Sequence, residues 1–205
     1  GGADHRQPGP TGSQRMSLLH PFRRKENEKG STLIEFSLIF AFLMMIALGA
    51  YEYGMAFRDW LSVTVATREG GRVAASAANF GEADCVILEA ATGALQGFQT
   101  GEVEFVHIYK SDVTGSYPGS NSYTRIYRPS TPADLDLVVC QGSTWFATNL
   151  GSNWDPDDRV NASGTADWIG VRIEFEHTWQ TNFLWWNGKV DWDDDGVFRM
   201  EPPAP

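Results

Sequence analysis

The sequence is poor in the residues that build reactive sites. Among 205 residues there are two cysteines and four histidines. His107 and His177 flank strand-like segments, but no metal-ligand spacing accompanies them, so each reads as a core or surface histidine. Cys85 and Cys140 stand in no cysteine–histidine order that marks a nucleophile, and pairs such as Ser163-Gly164 lack the surroundings of a nucleophile elbow or phosphate loop. Enzymatic chemistry is therefore not expected. Basic residues are scarce too: 16 Lys and Arg face 26 Asp and Glu. Residues 1–30 hold six of the basic and three of the acidic side chains, which leaves residues 31–205 with a net charge of −13. A surface of that sign repels phosphate backbones, which excludes nucleic acid as an expected partner. No internal repeat and no coiled-coil heptad is present. Long hydrophobic runs are lacking except for one.

That one run organises the chain. From Phe36 to Tyr51 there is no charged residue, with Glu35 just before and Glu52 just after. Crossing roughly 30 Å of hydrocarbon takes about 20 helical residues, so a span of about 33–54 is expected, at the cost of acids near its edges. Arg23, Arg24, Lys25 and Lys29 precede the run, and the acidic remainder follows it. This asymmetry places the amino terminus in the cytoplasm and the carboxyl-terminal part outside. A cleaved secretory signal fits less well, because the apolar region exceeds the usual length of about 7 to 15 residues and runs on into helix-compatible sequence.

The residues around the run resemble a known family. Lys29-Gly30-Ser31-Thr32-Leu33-Ile34-Glu35-Phe36 is similar to the leader junction of type IV pilins and pseudopilins, which a membrane peptidase cuts after glycine. Together with Tyr51-Glu52-Tyr53-Gly54 and the stretch Ala66 to Ala75, it resembles TadE-like pseudopilins or minor pilins of the tight-adherence (Flp) pilus system. The ending Val197 to Pro202 is similar to that family's tail.

The resemblance implies a cut between Gly30 and Ser31. It implies an assembly role for Glu35 and Phe36, in which the Glu35 carboxylate pairs with the amino group of Ser31 on a neighbouring subunit; snorkelling of Glu35 to the headgroups is the alternative. Implied partners are other pilins or pseudopilins, the inner-membrane assembly platform and the prepilin peptidase. The implied function is a minor pilin or pseudopilin that primes, anchors or stabilises a pilus, with no cofactor. A membrane-anchored adhesive or ligand-binding module using the late aromatic and acidic segments is the alternative.

The expected fold is α+β and pilin-like. Residues 1–30 read as an unstructured segment and a basic leader, with Met16 a natural first residue. Residues 31–80 form one long helix and residues 81–205 an extracytoplasmic domain with an antiparallel sheet. Beyond the run, Tyr53, Phe57, Trp60, Leu61 and Val65 mark an apolar stripe at helical spacing, while Gly70-Gly71 weakens the helix or permits close packing. A short helix is expected over Glu82 to Leu95, then strands from Val103, over Tyr123 to Arg128 and over Asp136 to Cys140. Gln141 to Thr165 reads as loop. Trp168 to Trp179 is the strongest strand, and Val197 to Met200 a final edge strand.

Three further groups remain. Cys85 and Cys140 could form one disulfide in an oxidising compartment, stabilising by about 4 kcal/mol on the chain-entropy model; in the cytoplasm two separated cysteines carry no such meaning. Asp191, Asp193 and Asp195, with Gly196, have the opening of a calcium loop. Its twelfth position is Pro202, with Glu201 one residue away, so the segment reads either as a calcium site or as a solvated acidic hairpin turn. Phe183, Leu184, Trp185 and Trp186 cannot all point inward from one strand, which marks them as an interface candidate.

Overall fold

The computed structural model describes residues 1–2, 26–77, 79–95, 103–119, 123–129, 136–140, 143–148, 154–181 and 187–202, without the side chains of 26–29, 136–139, 143, 144 and 146. It divides into two compact units, Gly1–Met45 and Ile46–Pro205. Helix α1, Glu26–Ala77, starts before the expected Ser31 and contains a stretch long and apolar enough to cross a membrane.

The second unit is α+β. Helix α2, Ala83–Ala94, is followed by six strands: β1 Val103–Ser111, β2 Thr124–Arg128, β3 Asp136–Cys140, β4 Ser143–Ala147, β5 Trp168–Thr178 and β6 Lys189–Arg199. They form one antiparallel sheet in the order β3-β4-β2-β1-β5-β6. The alternation read in Trp168 to Trp179 is realised in β5. Ile169, Val171, Ile173, Phe175 and His177 are buried, and Arg172, Glu174 and Glu176 stand on the opposite face.

Two expectations are corrected. The stretch Gln141 to Thr165 is not all loop: it contains β4 and a single helical turn at Pro156–Asp158. Five residues without apolar alternation carry no strand signal of their own, and β4 is held by pairing with β3 and β2. Likewise Asp191 to Gly196 is not a turn but the middle of β6, which pairs with β5 from Thr178↔Lys189 to Trp168↔Arg199. Aspartates are poor strand formers by local preference, and the long register with β5 overrides it.

Helix α1 meets the sheet with its small residues. Glu52, Ala56, Asp59, Val63, Ala66, Gly70 and Ala74 are buried at spacings of three and four, one face of a helix. The aromatic stripe Tyr53, Phe57, Trp60, Leu61 and Val65 is on the exposed side. Backbones approach too closely for bulk. A Cβ on Gly196 would stand 2.7 Å from the Thr67 carbonyl oxygen, and one on Gly71 would stand 2.6 Å from the Phe198 ring. Gly70 lies against Ala91 of α2 and Val171 of β5. The paired glycines thus belong to the packing and do not end the helix.

Gly196→Ala should lower unfolding stability by roughly 1–3 kcal/mol, because the obstructing atoms are backbone. Gly93→Ala, in α2 with open space where its Cβ would stand, should raise it by about 0.5–1 kcal/mol. Chemical denaturation of the full chain checks both signs.

Candidate functional site

Among the described residues of the first unit, the side chains of α1 from Ser31 to Met44 are exposed. Leu33, Ile34, Phe36, Leu38, Ile39 and Phe40 are all exposed, and Phe36 and Phe40 stack with ring centres 5.7 Å apart. Glu35 lies in this apolar surface and accepts a hydrogen bond from the Ser31 hydroxyl at 3.2 Å. The Gly30–Ser31 junction falls inside the helix.

Within the second unit, α1 is joined to the sheet by charge. Glu52 is fully buried, and its carboxylate accepts the backbone N–H groups of Gln180, at 3.2 Å, and Thr181. Two turns on, Asp59 accepts the Nδ1–H of His177 of β5 at 2.8 Å. The His177 ring lies flat on Trp192 and edge-on to Trp179. A third polar link joins the Thr67 hydroxyl to Asp194 at 3.0 Å. Buried polar groups of this kind cost free energy unless paired, so each fixes the helix at one position along the sheet.

Helix α2 is held similarly. Asp84 receives Arg159 Nη2 at 2.5 Å, Arg125 Nε at 3.3 Å and the Tyr127 hydroxyl. Burial, aided by the Asp84 charge, pushes the Tyr127 hydroxyl well above its ordinary pKa, so it stays a donor. The disulfide Cys85–Cys140, with Cα atoms 5.2 Å apart, ties α2 to β3.

The opposite face of the sheet carries a second network. His107 Nε2 stands 3.3 Å from Glu174, and its Nδ1 is 2.8 Å from the Tyr117 hydroxyl. Arg172 lies over the Tyr117 ring and reaches Asp193 at 2.9 Å and Asp195 at 4.0 Å. The His107 hydrogen bond is the largest influence on Glu174 and holds its carboxyl below the usual range against burial, with Arg172 adding to it. The loop after β1 is folded by Asp112, which accepts from Thr114 and Ser116.

The expected calcium ligands are not brought together. Alternate residues of a strand lie about 7 Å apart, Asp193 and Asp195 are held by Arg172, and Glu201 lies past β6 with its N–H on the Ala75 carbonyl. Among the described residues the carboxylates that do gather are Glu104, Glu176 and Asp191, and the Lys189 ammonium already occupies Glu176. Phe183, Leu184, Trp185 and Trp186 lie outside the described residues. Reading the sequence missed Glu52, Asp59 and His177 as a set. The seven-residue spacing of the two acids, two turns on one helix face, was the available signal.

Residues 30–72 match the family model of TadE-like proteins, and this stretch is therefore similar to that family. TadE-like proteins are structural. No curated protein and no solved structure matches the chain.

Because the Glu174 pKa is lowered on folding, its contribution is complete above the ordinary carboxylate range and is lost as pH falls through the folded value. Glu174→Gln should cost roughly 1 kcal/mol at neutral pH, allowing for partial exposure. Denaturation series should show the gap from the parent closing on acidification.

Proposed function

We propose that this TadE-like chain is a minor pilin or pseudopilin that helps prime, anchor or stabilise a tight-adherence pilus. The observation that carries the reading is the contrast between the units. The second buries an aliphatic and aromatic core, whereas α1 in the first leaves Leu33 69% and Leu38 72% exposed. Such a surface needs lipid or other helices to cover it.

In this reading residues 1–30 are a cytoplasmic segment and leader cut between Gly30 and Ser31. Residues 31–80 anchor the protein with a span of about 33–54, and residues 81–205 lie outside. The four basic residues before the run support that orientation. Glu35 acts in assembly. A carboxylate among apolar side chains is costly, and pairing with the new amino terminus of Ser31 on a neighbouring subunit neutralises it. The partners are other pilins or pseudopilins, the assembly platform and the prepilin peptidase.

Glu35→Ala should leave membrane insertion intact and reduce recovery of the protein in pili or the pilus base severalfold; unchanged recovery removes the assembly role. Mass spectrometry of the protein isolated from pilus-forming cells should find Ser31 as the first residue. A chain still beginning at Met16 or earlier rules out the cut.

A further inference from the structure

Among the described residues β6 pairs with β5 alone and forms an edge of the sheet. Every second residue of β6 therefore directs its N–H and C=O groups away from β5. The two faces of this edge differ. Toward α1, Trp192 is stacked on His177 and edge-on to Phe175, Asp194 meets Thr67 and Phe198 lies against Gly71. On the opposite face Asp193 and Asp195 reach Arg172, and Asp191 gathers with Glu104 and Glu176. Arg172 is shared with Glu174, and Lys189 is paired with Glu176. The carboxylates on this face thus outnumber the cations among them, and the outer face of the edge is left negative.

On the α1 side the edge borders a groove of about 420 Å³, between residues 191–193 and the rings of Tyr53, Phe57 and Trp60. Phe57 is 57% and Trp60 39% exposed. A strand laid beside β6, at the usual spacing of about 4.8 Å, turns alternate side chains to opposite faces. One set enters the groove against the aromatic rings, and the other comes beside Asp191, Asp193 and Asp195. Three requirements follow for an occupant: an extended backbone for the edge, apolar side chains for the groove, and basic side chains between them for the acids. A second copy of β6 fails the last, because antiparallel pairing of two such strands sets aspartate against aspartate.

We infer that the β6 edge takes up an extended segment of a partner protein in which apolar residues alternate with lysine or arginine, adding one strand to the sheet. Backbone pairing supplies the attachment, and charge complementarity across the outer face selects the partner. The inference goes beyond the pilus reading and does not depend on it.

The test mixes the full-length chain, in nonionic detergent, with a capped heptapeptide of alternating lysine and valine and follows amide hydrogen exchange by NMR. Binding should saturate and slow exchange at alternate residues of β6 around Asp191 to Asp193, while exchange in β1 and β2 stays as it was. N-methylation of every second peptide residue should abolish binding in one frame and be tolerated in the other, because a single edge of the peptide faces β6. The glutamate–valine peptide should not bind. Asp191→Lys and Trp60→Ser should each weaken the lysine–valine peptide about twofold to fivefold, with unchanged exchange in β1 and β5 reporting an intact fold. Equal tolerance of both methylation frames, equal binding of the glutamate peptide, protection confined to residues outside β6, or indifference to both substitutions overturns the inference. So does protection of β6 that grows with protein concentration in the absence of peptide, which assigns the edge to a second copy.

Discussion

The carbonyl of Thr67 occupies the space where a side chain on Gly196 would stand, and the second unit is arranged around that contact. A helix backbone this close to a strand admits only small residues between them, and α1 supplies Ala66, Gly70, Gly71 and Ala74 along the face it turns to β5 and β6. The consequence appears on the other side of the helix. Tyr53, Phe57, Trp60, Leu61 and Val65 are left exposed on the far side, Tyr53 meeting Trp179 edge-on, and in the proposed reading they are a surface available to neighbours.

Close packing of small residues is weakly specific along the helix axis, and the buried charges supply the missing specificity. Glu52 collects two backbone N–H groups after β5, Asp59 holds His177, and Thr67 meets Asp194. Sliding α1 by one turn would strip all three and leave carboxylates buried without partners, a penalty of several kcal/mol. Helix α2 follows the same logic through Asp84, reinforced by the Cys85–Cys140 crosslink. The sheet is thus clamped from its helical side by polar contacts set in apolar surroundings.

This clamp bears on the proposed pilus-associated role. In the proposed reading α1 is at once the membrane anchor and the support of the exported domain, so force or contact along the helix reaches β5 and β6 through Asp59–His177 and Glu52. Pairing by several short polar contacts resists sliding better than an apolar interface of equal area, because each bond is directional.

Residue order alone determined the features governed by local rules. The uncharged run with its basic flank, the alternation that became β5, α2 between its glycines, and the α+β class follow from periodicity and composition, which act within a few neighbouring residues. The proposed processing junction Gly30–Ser31 and the proposed assembly residues Glu35 and Phe36 stand as a motif around that run. Tertiary structure decided whatever depends on atoms distant in sequence. Asp191 to Gly196 has the composition of a turn, yet eleven paired residues of β5 draw it out as β6, and Arg172 takes up its charge. Which face of α1 would be buried was also settled at long range. Hydrophobicity favoured the aromatic side, but where α1 crosses β6 the distance between two backbones left room only for small residues.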